Sequence, residues 1–446
     1  MGKQETDSAG KGNVSFWSVV AIGIGGMVGG GIFAVLGFAV QLGKGATPVS
    51  FLVAGIVAVL TAYSYARMSV RYPSEGGTVE FLNKGFGPGF FTGGLNVLLW
   101  ISYVVMLSLY AYAFGHYGAS FFSGNQTLWT HLLISAGILL FAGLNALGST
   151  LVGRAEKAVV AIKLSILFLF IAVGIWSIDG GRLSPSAWGD PVHIVAGGMV
   201  IFLAYEGFEL IANTANDVVQ PKKTLPRAFF TAVVFVIGLY VVISMVTVGN
   251  LAIADIVSAK DYALAEAARP FLGHAGFVLI AIAALLSTGS AINATLYGTA
   301  RVSYIIAKDG ELPRQLEKKI WHRHIEGLLI TAALALVVAN LFDVSSISMM
   351  GSAGFLIIFA MVNVANARRC KETDSNRWIA LLGASVCLGS LVALIYNRAV
   401  HAPEDLAVLV VMLAAAFGIE WLYRRMTGRE LKETVAPGTR HEARQD

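Results

Sequence analysis

The chain has 446 residues, of which 56% are hydrophobic and 13% charged, with a formal net charge of +5. Soluble domains carry about 25% charged residues, so this composition, with a mean hydropathy of +0.70, excludes an ordinary soluble enzyme and marks a polytopic membrane protein. The positive balance does not point to nucleic acid, because the basic residues fall in short segments between apolar stretches.

Apolar stretches of roughly 20 residues are long enough to cross a bilayer as helices. Residues 1–14 are polar, lack the features of a cleavable signal, and are expected to form a cytoplasmic N-terminal segment. Twelve spans follow, at about 15–40, 47–70, 89–121, 128–147, 155–177, 192–215, 227–251, 271–305, 327–341, 346–366, 378–396 and 404–425. The eighth is long enough to extend beyond the bilayer and the ninth is short. In the long outer loop 252–270, residues Tyr262 to Arg269 read as a short helix lying on the outer surface. The tail, 426–446, is polar and charged and is expected to be a disordered cytoplasmic segment.

Twelve spans place both termini on one side. With that side inside, 26 of the 32 Lys and Arg residues fall in cytoplasmic segments, five (Lys44, Arg182, Lys260, Arg269, Arg398) fall outside, and Lys163 lies within a span. The excess of inner positive charge fixes the orientation and predicts a multi-pass protein of the cytoplasmic membrane. Tryptophans cluster near span ends, as aromatic belts do.

The first span carries Gly23-Ile-Gly-Gly-Met-Val-Gly-Gly-Gly-Ile-Phe33. Each glycine weakens a helix by about 1 kcal/mol relative to alanine. Backbone groups freed at bilayer depth are tolerated only where they are buried in protein or line a cavity. The sixth span is interrupted in the same way by Tyr205-Glu-Gly207. Gly-interrupted spans in corresponding places of two halves point to the binding site of a secondary transporter. Half-helix N-termini suit a carboxylate and unwound carbonyls suit an ammonium, so a site built from both suits an amino acid. Close helix packing is the alternative, since Gly25/Gly29 and Gly26/Gly30 have small-xxx-small spacing.

Nothing in the chain reads as an enzyme. No nucleophile elbow, Walker motif or metal spacing occurs, no cofactor is implied, and Cys370 and Cys387 offer neither a disulfide framework nor a metal site. His116 and His193 read as interfacial, and Asn145 and Asn293 as hydrogen-bonding links between helices.

Several motifs, taken together, resemble the amino acid–polyamine–organocation permease superfamily. Gly25-Gly-Met-Val-Gly-Gly-Gly-Ile-Phe33 is similar to its first-helix motif, and Tyr72-Pro-Ser-Glu-Gly-Gly77 to the P-x-x-G-G after its second helix. Phe202-Leu-Ala-Tyr-Glu-Gly-Phe-Glu209 and Asp217-Val-Val-Gln-Pro-Lys-Lys-Thr-Leu-Pro-Arg227 resemble its sixth helix and the loop beyond. Asn293 to Arg301, then Ala307 to Pro313, resemble the end of its eighth. The resemblance implies an all-α, leucine-transporter-type fold with helices 1 and 6 broken. Its 5+5 inverted repeat would run over 15–177 and 192–366, with the spans in 378–425 outside it. It also implies that amides of Gly29, Gly30 and Gly31 hold a substrate carboxylate. Carbonyls around Met27, Phe202, Ala204 and Tyr205 would hold its amino group, and Phe202 would stack over it as a gate.

The ionisable residues at membrane depth are functional candidates by default. Lys163 has no acidic residue within four positions. It either snorkels to the inner interface or, as in a subset of the resembled family, places its ammonium on carbonyls of helix 1 and hydroxyls of helix 8. Ser287 and Thr288 are the matching hydroxyls here. On that second reading it couples proton movement to transport. Glu209 matches a common acidic position tied to proton sensing, or is a structural glutamate. Glu206 departs from the commoner apolar residue beside the proposed substrate carbonyls; it either favours a cationic substrate, is protonated, or points away from the site. The sequence therefore reads as a proton-coupled amino acid symporter in a lipid bilayer. A cationic amino acid or polyamine transporter, an exchanger and a non-transporting sensor of the same fold are the alternatives.

Overall fold

A computed structural model describes residues 13–147, 150–309 and 325–427. The expected N-terminal segment up to residue 12, the part of the Ala307–Pro313 motif beyond residue 309 and the polar tail beyond Thr427 lie outside the described residues, as do the side chains of Arg154, Glu156 and Lys157 at the entrance to the fifth span. Among the described residues the chain is helical throughout, with only two isolated bridges, Val14 to Val218 and Lys44 to Trp188.

The first predicted span is two helices, α1 (Phe16–Met27) and α2 (Gly31–Gly43), bent by 48° across the glycines. They are followed by α3 (Thr47–Arg71), α4 (Thr78–Phe86), α5 (Phe90–Ala119), α6 (Gln126–Leu147) and α7 (Thr150–Gly174). The sixth span comprises α8 (Pro191–Ile201), one 3-10 turn at Phe202–Tyr205 and a 3-10 run over Phe208–Asp217. The remaining helices are α9 (Pro221–Asn250), α10 (Ile253–Ser258), α11 (Ala263–Glu266), α12 (Arg269–Asp309), α13 (Ile325–Leu341), α14 (Val344–Arg368), α15 (Arg377–His401) and α16 (Pro403–Thr427). Among the described residues ten helices are long and apolar enough to cross a membrane, and the bent α1–α2 pair makes eleven. The ninth predicted span corresponds to α13, whose 17 residues lie at the lower limit of crossing length. The long eighth span is present as α12, kinked near its start where Gly273 adopts φ 62°.

Burial sorts these helices into a core and a shell. The hydrophobic windows of α5, of Pro191–Asp217 and of α14 are 83–89% buried, against 22–33% for α6, α7, α15 and α16. The shell helices therefore face lipid, and the last two pack outside the core. Among the described tryptophans, Trp17, Trp176 and Trp378 are strongly exposed near helix ends, as expected. Trp100 is the exception, buried within α5 with its indole N–H on the Thr331 hydroxyl at 3.3 Å.

Two features differ from the sequence reading. The segment after Tyr262 is helical but does not lie on the outer surface: Ala263, Leu264, Ala265, Ala267 and Ala268 are buried. Their small side chains let the backbone seat deeply, and the Lys260 carbonyl rests directly on Gly37 of α2. Helix α4 was not foreseen. It buries Val79, Phe81 and Leu82 on one face and pairs Glu80 with Lys84 on the other. At the same end of the bundle Arg301 of α12 pairs with Glu75, in the turn between α3 and α4.

Candidate functional site

The two interruptions meet each other. Gly207 has φ 114°, a left-handed conformation closed to most side chains. A Cβ built there would lie 2.7 Å from the Met27 nitrogen, and one on Gly26 would lie 2.7 Å from the Gly207 carbonyl oxygen. One step further along, a Cβ on Gly31 would lie 2.7 Å from Ala204 Cα. The glycines are thus required because two unwound backbones cross in direct contact. This close approach is what the packing reading of the glycine run expects.

The break in the first span frees backbone groups, and their partners come from other helices. Helix termini leave the last carbonyls and first amides without intrahelical partners. Among the carbonyls, that of Gly25 accepts from Lys163 Nζ on α7 at 3.3 Å. Met27 O accepts from the Tyr240 hydroxyl on α9 at 2.6 Å. Val28 O and Gly29 O accept from Ser287 on α12, at 2.9 and 2.8 Å. The Tyr240 hydroxyl also lies 3.3 Å from Ala204 O, so one side chain ties both broken segments. Amides are left at the start of α2, where the chain resumes at Gly31 and the first intrahelical bond runs from Ala34 to Gly30 O.

The predicted site residues fall into two groups. Lys163 is fully buried and turned inward to the break, so it does not snorkel. Ser287 reaches the same unwound stretch, whereas the Thr288 hydroxyl bonds Ala284 O in its own helix at 2.7 Å and offers the break its methyl, beside Gly30. Glu209 Oε2 accepts from Gly207 N–H at 2.8 Å and Oε1 from the Tyr103 hydroxyl at 3.2 Å. Glu206 is 4% exposed, contacts the Glu209 carboxyl and faces the Tyr110 hydroxyl at 3.5 Å. Phe202 is fully buried, its ring edge-on to Phe359 at 5.8 Å, and the Tyr205 hydroxyl donates to Phe51 O at 2.9 Å.

A cavity of about 660 Å³ begins at the crossing, against Gly25, Gly26, Glu206 and Gly207. It runs toward the end of the bundle where α1 starts, past Ser18, Asn213 and Val302. Of the predicted substrate-binding residues only Glu206 lines it; Met27, Gly29, Gly30, Gly31, Phe202, Ala204 and Tyr205 do not. Asn145 and Asn293 link α6 to α12 as expected, with Nδ2 to Oδ1 at 2.8 Å, and also line this cavity. Sequence reading missed Tyr103, Tyr110 and Tyr240. A tyrosine inside an apolar span is a usable signal, because its buried hydroxyl needs a partner.

Because the single Tyr240 hydroxyl hydrogen is shared between Met27 O at 2.6 Å and Ala204 O at 3.3 Å, Tyr240→Phe should cost about 1–3 kcal/mol. The expected result is a lower thermal midpoint of the purified protein and slowed transport, with expression retained. A midpoint equal to wild type would mean that those carbonyls find other donors.

Among the described residues, a helical bundle with two interrupted spans crossing beside a cavity, with inward-turned ionisable side chains, matches the architecture of broken-helix transporters. The sequence model of the amino acid permease family matches residues 14–417. An uncharacterised protein of Methanocaldococcus jannaschii is 36% identical over 427 residues, covering 95% of this chain and 98% of that one. The inner membrane transport protein YbaT of Escherichia coli is 36% identical over 386 residues, 86% of this chain and 90% of its own. The branched-chain amino acid permease BcaP of Lactococcus lactis is 27% identical, covering 77% and 79%. The chain belongs to the amino acid permease family, within the amino acid–polyamine–organocation superfamily, and is a membrane transporter rather than an enzyme.

Proposed function

We propose that this protein is a proton-coupled symporter that carries an amino acid across the cytoplasmic membrane by alternating access, with both termini in the cytoplasm. The observation that carries the reading is the crossing itself. Two broken spans meet backbone to backbone at one end of a cavity, with a buried lysine on the unwound carbonyls of the first. The substrate carboxylate docks on the amides of Gly29, Gly30 and Gly31 at the positive end of α2. Its amino group docks on carbonyls of the second break, around Phe202, Ala204 and Tyr205; Met27 O is shared with Tyr240. The relative named as a branched-chain amino acid permease supports this substrate class.

Residues 15–177 and 192–366 act as two inverted repeats that rock around the crossing. With the N-terminus inside, the cavity of this conformation opens to the cytoplasm. Phe202 is then withdrawn from its gating position. Lys163 is the proton-linked group, held by α1 and supported by Ser287 on the same unwound stretch, with Thr288 packing against Gly30. Glu209 fixes the second break through Gly207 N–H.

Uptake into proteoliposomes tests the reading. A ΔpH of one unit, worth about 1.4 kcal/mol per proton, should drive roughly tenfold accumulation of a labelled amino acid by a one-proton symporter. Accumulation that needs internal substrate and ignores ΔpH would identify an exchanger. Binding without flux in any condition would identify a sensor.

A further inference from the structure

We propose that Glu206 sets the substrate class, selecting an amino acid whose side chain carries a second positive charge, such as lysine or arginine; the proposal rests on the transport reading above. The cavity wall includes 22 described residues, and among them Glu206 is the one acidic residue, with no Lys, Arg or His. A zwitterion brings one charge of each sign, and backbone dipoles at the two breaks answer both. The Glu206 carboxyl is an additional acceptor, which a neutral amino acid leaves without a cation.

Of the two neighbouring carboxyls, that of Glu206 lines the cavity and that of Glu209 does not. Glu209 is held by an amide at 2.8 Å and a tyrosine hydroxyl at 3.2 Å, so its acceptor capacity serves the fold. Glu206 is hydrogen-bonded to the Glu209 carboxyl and accepts from the Tyr110 hydroxyl at 3.5 Å, and it is the one of the pair that lines the cavity, so an entering cation replaces the proton that the two carboxyls share. An ammonium or guanidinium entering there makes charge-assisted hydrogen bonds, roughly twice as strong as neutral ones. The space suits a long side chain: about 660 Å³ falls within the ~300–1,000 Å³ of small-molecule sites. Tyr103, Tyr110 and Tyr297 add aromatic surface to the wall, and a cation is attracted to such ring faces.

The test uses the purified full-length chain, with Kd values from ligand-induced thermal stabilisation by L-lysine, L-arginine, L-leucine and L-serine. Wild type should bind the basic pair at least about tenfold more tightly, and Glu206→Gln should weaken them roughly ten- to a hundredfold while leaving L-leucine little changed. Glu206→Asp, which keeps the charge, should recover part of the preference. A wild type that binds L-leucine or L-serine as tightly as L-lysine overturns the proposal whatever the variants do. So does a monodisperse Glu206→Gln protein that keeps the basic preference. Parallel flux measurements separate the two readings. Neutral amino acids alone being carried removes the role of Glu206 and leaves transport standing. A Glu206-dependent preference for L-lysine without flux supports the selectivity and removes the transport reading.

Discussion

Gly207→Ala should abolish uptake and lower the thermal midpoint sharply, while Gly238→Ala should leave uptake intact. The contrast follows from what each new methyl group meets. At Gly207 the backbone has φ 114°, and the methyl would fall on Gly26 and the Met27 nitrogen at 2.7 Å. A left-handed conformation costs a non-glycine residue roughly 1–3 kcal/mol. Overpacking typically adds about 1–3 kcal/mol, and here the obstacle is backbone, which cannot rotate away. The expected loss is therefore at least about 3 kcal/mol. At Gly238 in α9 nothing lies within 4 Å of the new Cβ, and alanine is favoured in a helix by about 1 kcal/mol. Thermal midpoints in detergent and initial uptake rates check both. Wild-type behaviour of Gly207→Ala would show that the crossing is not needed in this form.

The positions of the breaks were legible because their signal is local. A glycine run within an apolar span and a second interruption in the sixth both lie at the crossing. Lys163 was legible for the same reason, since a charge at bilayer depth needs a partner. Its partner, Gly25 O, is 138 residues away in the chain. Long-range pairing is where sequence reading stops. Tyr240 meets Met27 across 213 residues, and no pattern near Tyr240 announces it. The second break was foreseen, but the ten-residue 3-10 run that follows it was not. Such runs rarely exceed three or four residues, and this one persists where the chain packs against α1, α3 and α9. The buried turn at 263–268 was misplaced because an alanine-rich amphipathic stretch looks the same whether it covers a surface or fills a groove.

Lys163→Gln should collapse proton-driven accumulation from about tenfold at one pH unit to simple equilibration. The lysine is fully buried, and its ammonium bonds a carbonyl that the α1 break has left without a helical partner. That carbonyl lies at the C-terminal end of α1, where the helix dipole favours a cation. A group placed there links its own protonation to the geometry of the unwound stretch that binds substrate. Glutamine can still donate a hydrogen bond to Gly25 O but carries no exchangeable charge, so binding should survive better than accumulation. Lys163→Arg separates charge from proton exchange, because a guanidinium stays protonated at accessible pH. If fixed charge were enough, arginine would restore accumulation; if a proton must leave, both variants fail to accumulate while each still exchanges labelled substrate across the membrane. Full ΔpH-driven accumulation by Lys163→Gln would remove Lys163 from the coupling mechanism and leave it a structural role in holding α1 against α7.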